Sequence, residues 1–200
     1  MLKQYLNKFG PYLIIGIGLV LFSINSMAYI QSYLAIEKKT PILHHKSNWN
    51  LHLDNLQKLK HTISKWHKKG EKIGELAIPK LKETYPILEG TSSDILKKAV
   101  GHYTRSALPG ESNNSVLSAH RDTFFRGLEK LKKEDVILVN SNGGTFRYKI
   151  KKIRIVDAQD QTVITPKPKA ILTLTTCYPF YFIGNAPKRY IVVAELISFQ

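Results

Sequence analysis

The feature that most constrains this chain is a run without a single charged residue, from Phe9 to Ile36, whose centre reads GPYLIIGIGLVLF. A helix of the roughly 20 apolar residues needed to cross a bilayer fits inside it. The run predicts one transmembrane anchor at 9–36, behind a short tail at 1–8. A cleaved signal peptide is the competing reading, because Lys3 and Lys8 make a basic start and Ser26-Met27-Ala28 resembles a small-x-small cleavage site. The run is long for a signal peptide, and apolar and aromatic residues continue through Tyr33, Leu34 and Ile36. On either reading the remainder is exported. Lys38 and Lys39 offset Lys3 and Lys8, so orientation rests on the default for a protein whose bulk follows its span: tail inside, domain outside the cell membrane.

Two hundred residues with 43% apolar content suffice for one well-buried domain plus this appendage. Residues 37–71 form a polar stalk rich in Lys and His, in which Leu56, Leu59, Ile63 and Trp66 recur at helical spacing and predict a short amphipathic helix. His44, His45, His52 and His61 cluster there, but with no Cys and only Glu37 and Asp54 nearby they read as solvated side chains rather than metal ligands. The formal charge of +15 falls to +13 once Lys3 and Lys8 are set aside. Those charges are dispersed lysines, without a zinc-finger pattern, an RNP-like strand or a basic helix leading into heptads, so nucleic acid is not the expected partner. A basic surface facing anionic lipid and wall polymer accounts for them. The acidic residues show no grouping that predicts a calcium site, and no cofactor is expected.

From Lys72 the texture changes to short β-type runs: KIGELAIP, ILKKAVGHY, SVLSAH, DVILVNS, TFRYKIKKIRIV, AILTLTTC and RYIVVAELI. Asn142-Gly143-Gly144 predicts a hairpin turn. Phe146, Tyr148 and Ile150 alternate in one parity while Ile153 and Ile155 take the other, which predicts a bulge near Lys151-Lys152. Thr123 to Leu131 reads as a helix with Asp122 as its N-cap. The expected fold of 72–200 is mainly β, closed as a barrel or a sandwich.

The only cysteine, Cys177, excludes an internal disulfide. In AILTLTTCYP, strand alternation places Leu172, Leu174 and Thr176 on one face and Thr173, Thr175 and Cys177 on the other. If the leucines face the core, the thiol faces out of it, at a strand end where Pro179 stops the ladder. A thiol with an ordinary pKa of about 8.5 needs a partner to act as a nucleophile near neutral pH. His120, at the end of SVLSAH, is the candidate. Arg189 opens the strand after the cysteine loop, and antiparallel pairing would bring its guanidinium beside the thiol, able to donate to an oxyanion.

The order and spacing of these residues resemble the sortase family. TLTTC at Thr173 to Cys177 is similar to that family's TLxTC signature, with His120 lying 57 residues before the cysteine and Arg189 12 after it. The text TLTTCYPFYFIGNAPKRYIVVAEL looks most like class D sortases, over Lys72 to the C-terminus. The resemblance implies an eight-stranded β-barrel behind an N-terminal membrane helix, with short helices, and cysteine transpeptidation by a monomer. It implies that Cys177 attacks the carbonyl after Thr in a secreted protein's LPxTG-type sorting signal, LPNTA being common in class D. Arg189 would stabilise the oxyanion, His120 would serve as acid and base, Thr176 would contact substrate, and the loop from Asp157 to Lys169 would set specificity. The acceptor would be an amine of a cell-wall peptide precursor. No Asp-Pro-aromatic lid motif of the class C kind occurs between Glu37 and Glu71, so an open site is expected. A hydrolytic cysteine peptidase and a non-catalytic binding module are the rival readings. Papain-like order, with Cys before His, is reversed here, and Thr176-Cys177-Tyr178 departs from the L,D-transpeptidase pattern.

Overall fold

A computed structural model describes residues 2–36, 67–141, 144–182 and 184–200. The expected amphipathic stalk helix at 56–66 and the first two residues of the Asn142-Gly143-Gly144 turn lie outside them. Helix α1 spans Leu2–Ala35. Among the described residues no helix is long and apolar enough to cross a membrane, while the side chains of Ile14, Ile17, Leu21 and Phe22 stand exposed along α1.

Eight strands follow: β1 Lys72–Ile78, β2 Glu83–Glu89, β3 Val100–His102, β4 Asn114–Ser118, β5 Val136–Ser141, β6 Gly144–Asp157, β7 Ile171–Tyr178 and β8 Lys188–Phe199. They close into a barrel in the order β1-β2-β3-β4-β7-β8-β6-β5. Closure leaves the sheet without a free edge, and it decides between the two architectures that alternation alone allows. Inward side chains such as Leu76, Tyr85, Leu117, Ile137, Phe146 and Leu174 are fully buried in one core. Tyr148 brings a hydroxyl into that core and accepts a 2.7 Å hydrogen bond from the Gly110 amide. Burial holds its phenol protonated far above the ordinary range.

The switch of parity in β6 is a register shift between Ile150 and Lys152 against β8. It brings Ile153 and Ile155 to the side of Val192 and Tyr190, where Ile153 packs against the core and Ile155 stays partly open to solvent. Strand β2 does not emerge from sequence texture because Pro86 sits inside it. The proline is tolerated because β3 pairs only with Ile87 to Glu89, so no strand lies on that side of Pro86. Two other expectations are corrected. In ILKKAVGHY the helical turn Ser93–Leu96 takes the first residues, and only Val100–His102 is strand. The helix expected over 123–131 is a series of turns ending in a 3₁₀ segment, Leu128–Lys130, with no cap from Asp122. Phe124, Phe125, Leu128 and Leu131 are all buried there, so packing rather than helix propensity fixes the segment.

Two pairings position the site. Strands β4 and β7 run parallel, which requires a long crossover, here made by β5 and β6. Their C-terminal ends therefore reach the same rim of the barrel. Strand β8 is antiparallel to β7, so its first residues start from that rim.

Candidate active site

Strand β7 carries the thiol as alternation predicts. Leu172 and Leu174 are in the core, and Thr176 is buried on the same parity. Cys177 faces outward and is half-buried. In the β7–β8 ladder Cys177 stands directly opposite Arg189. The β4–β7 register keeps a constant offset from Asn114↔Ile171 to Ser118↔Thr175. That offset is the spacing that separates His120 from Cys177, so both residues lie two positions past the last pair of the ladder, at the same rim of the barrel. Ala119 N–H donates to Thr175 O at 3.3 Å, the bond that closes the last pair, Ser118↔Thr175.

Thr176 lies on the inner parity of β7. Its hydroxyl is buried and donates to Ala119 O at 2.7 Å, and its parity points it away from the face that carries Cys177. It ties the end of β7 to the residue before His120. On the other side of His120, its carbonyl accepts from Phe125 N–H at 3.0 Å, and the burial of Phe124 and Phe125 anchors the turn that follows. The histidine is thus held from both sides by backbone. Asp122 is exposed, and no hydrogen bond joins it to His120.

Arg189 is half-buried, and its Nη1 donates to Ala186 O at 3.1 Å and to Lys188 O at 2.9 Å. The other nitrogens of this five-donor fork make no hydrogen bond among the described residues. A residue that sequence reasoning missed is Arg121. Its Nη2 donates to Phe182 O at 2.6 Å and Gly184 O at 3.2 Å, and its guanidinium lies 5.8 Å from the Phe182 ring centroid. It binds the exit of β4 to the β7–β8 connection, and its position directly after His120 was the signal available.

The β6–β7 connection, 158–170, is ordered by Asp160, whose carboxylate accepts from Thr162 N–H at 2.8 Å and pairs with Arg154 at 3.2 Å. The Thr162 hydrogen bonds first, and then the Arg154 charge, hold that carboxyl below its usual range. A cavity of about 280 Å³ lies beside the rim, lined by Asp122, Thr123, Glu129 and Tyr181 among others. Cys177, His120 and Arg189 are not among its lining residues. The other buried histidine, His102, pairs with Glu89 at 2.7 Å on the inner side of β2 and β3 and belongs to the core. Among the described residues no group of three or more His, Cys, Asp or Glu side chains could hold a metal ion.

An outward cysteine with an arginine across the ladder and a histidine at the end of the parallel neighbour is a specific arrangement. The sequence model of the Sortase domain family matches residues 76–197. This chain belongs to the sortase family. Sortase D of Bacillus subtilis (strain 168) is 47% identical to it over 130 residues, 64% of this chain and 66% of that protein. Sortase SrtE1 of Streptomyces coelicolor is 35% identical over 148 residues, covering 64% of this chain and 41% of that protein. The match thus spans just under two thirds of the first relative's length and less of the second's. Among solved structures, the catalytic domain of B. anthracis SrtD is 45% identical with a TM-score of 0.59, covering 68% of this chain and 93% of that one. Clostridium perfringens sortase C with the C-terminal cell wall sorting motif superposes with a TM-score of 0.64 at 29% identity, covering 75% of this chain and 93% of that one. The sortase barrel here is therefore shared with proteins whose sequences differ at most positions, and its rim carries the Cys177–Arg189 pair and the exit of β4 that leads to His120.

Proposed function

We propose that this sortase is a membrane-anchored cysteine transpeptidase that cuts an LPxTG-type sorting signal, LPNTA in the class D manner, after Thr and joins the protein to a cell-wall peptide amine. The observation that carries the reading is the register that sets Cys177 opposite Arg189, and the β4–β7 offset, equal to the His120–Cys177 spacing, supports His120 as their partner at the same rim. The Cys177 thiolate adds to the Thr carbonyl carbon, and the carbonyl oxygen takes up the negative charge. The unpaired N–H groups of Arg189 donate to that oxygen, a stabilisation of the kind that is worth most at a developing charge. Protonated His120 gives its proton to the departing nitrogen, the C–N bond breaks, and a thioester remains on Sγ. An incoming amine then loses its proton to His120 and adds to the same carbon, and the thiolate leaves. Water in place of the amine gives hydrolysis, a side reaction of the same thioester.

The uncharged run and the exposed apolar side chains of α1 support residues 9–36 as the membrane span, with 1–8 as an inner tail and 37–71 as an outer stalk. On this reading the barrel, 72–200, works as a monomer at the outer membrane surface. Its basic charge suits that setting. The test uses the full chain in detergent micelles with a fluorogenic LPNTA peptide, with and without an added amine. Cleavage after Thr, an amide product when amine is present, and loss of both in Cys177→Ala are expected. A folded chain with an intact thiol that cleaves no sorting-type peptide would refute the proposal.

A further inference from the structure

The outer face of β4 and β7 carries a second polar constellation that the transfer chemistry does not use. Asn114 opens β4 and is 2% exposed. Its Nδ2 donates to Val163 O at 2.9 Å and to Thr165 O at 3.1 Å, and its Oδ1 accepts from the Thr173 hydroxyl at 2.7 Å. Two carbonyls can only accept, so the orientation of the amide is fixed by its partners. Its neighbour Asn113 adds to the grip, with Oδ1 accepting from Lys167 N–H at 2.9 Å and its carbonyl accepting from Ile171 N–H at 2.9 Å. The β6–β7 loop is thereby held from beneath at 163, 165, 167 and 171.

Its place relative to the thiol gives this grip a meaning. Thr173 and Cys177 share the outward face of β7, four residues or about 13 Å apart at strand spacing. Four extended residues of a peptide leading to the scissile carbonyl span about the same distance. A motif lying along β7 toward the loop therefore ends its first residue where Asn114 pins the wall. Between the two carbonyls turned down to Asn114, Ile164 is turned out and stands 40% exposed, an apolar contact suited to an apolar motif residue.

We propose that Asn114 is a specificity-determining positioning residue, whose buried amide sets the height of the β6–β7 loop over the strand that bears Cys177. The proposal rests on the sorting-peptide reading above. Asn114 touches no reacting atom; it acts through the loop, with Thr173 as its second anchor.

The test compares the full chain, Asn114→Ala and Thr173→Val in detergent micelles, on LPNTA and on the same peptide with its Leu replaced by Ala. Amide hydrogen exchange is followed over 161–167. In Asn114→Ala the KM for LPNTA should rise about 10-fold and the Leu-over-Ala preference should fall with it, while kcat stays within about 2-fold. Exchange in the loop should quicken. Thr173→Val, which keeps the asparagine and removes one hydrogen bond, should move all three readings the same way by less, and it carries the test if the alanine variant fails to fold. A quickened loop with unchanged KM and preference would overturn the specificity role. A fall in kcat with preference intact would mark a general structural part and overturn it as well. Unchanged exchange would overturn the pin itself. If the unsubstituted chain turns over neither peptide, the sorting function fails and the specificity role with it, while the exchange result still separates the two failures.

Discussion

The two connections that flank strand β7 are held to the same barrel by opposite means. The β6–β7 loop is pinned by a neutral, buried amide that has a partner for each of its groups. The β7–β8 connection, 179–187, is pinned by guanidinium groups: Arg121 on Phe182 O and Gly184 O, Arg189 on Ala186 O. Two of its three aromatic side chains are open to solvent, Tyr181 at 80% and Phe182 at 43%, while Phe180 is buried. A buried neutral pin is indifferent to salt but costs dearly when one partner is removed, because the others are left unpaired. A charged pin at the rim is stronger per bond, screened by salt, and able to exchange one acceptor for another. One flank of β7 is therefore built to stay, and the other is held by guanidinium groups that keep N–H donors to spare.

The largest test of that contrast lies at Arg189, which serves the loop and faces the thiol. Arg189→Ala and His120→Ala should each lower turnover by about 100-fold or more with the barrel intact by circular dichroism. Arg189→Lys keeps the charge without the fork, and recovery of most of the rate in it would show that charge alone suffices.

Arg121→Ala should have a smaller effect, about 10-fold in kcat/KM. Since its loss acts through the β7–β8 connection, hydrogen exchange should quicken at 181–186 and stay unchanged at 161–167. Equal quickening of both loops would break the comparison. Thr176→Val probes the joint between β7 and the exit of β4: loss of its hydroxyl leaves Ala119 O unpaired, at a cost of roughly 1–3 kcal/mol read as a lower unfolding midpoint.

The smallest effect is expected at Asp160. Its carboxyl titrates below the usual range, so the cap it forms is complete above the unfolded value and is lost only as pH falls through the lowered one. Between about pH 8 and pH 5 the pH profiles of Asp160→Asn and the unsubstituted chain should run parallel. Divergence within that window would mean that another group controls the loop.

How much of this was legible in the sequence depends on whether the signal was local. The outward thiol follows from alternation in LTLTTC, and the bulge in β6 from a change of parity, because both are properties of one strand. The pairing of Cys177 with Arg189 follows from an antiparallel neighbour, while the part proposed for His120 rests on the TLTTC resemblance. Strand β2 was hidden by Pro86, whose tolerance depends on where β3 begins pairing. The segment after His120 has helical spacing, but its buried phenylalanines hold it as turns. The pins at Asn114 and Arg121 were illegible for one reason: each binds backbone carbonyls at least 49 residues away, and a carbonyl acceptor leaves no mark on residue type.

The central claim is that Cys177 takes the acyl group while Arg189 and His120 attend it. The most direct measurement is intact-protein mass spectrometry of the full chain mixed with an LPNTA peptide, followed by peptide mapping. The account predicts an added mass equal to the peptide fragment ending in Thr, located on Cys177, discharged by amine and absent from Cys177→Ala. A chain that cleaves the peptide with no adduct on Cys177, or with the adduct on another residue, would contradict it.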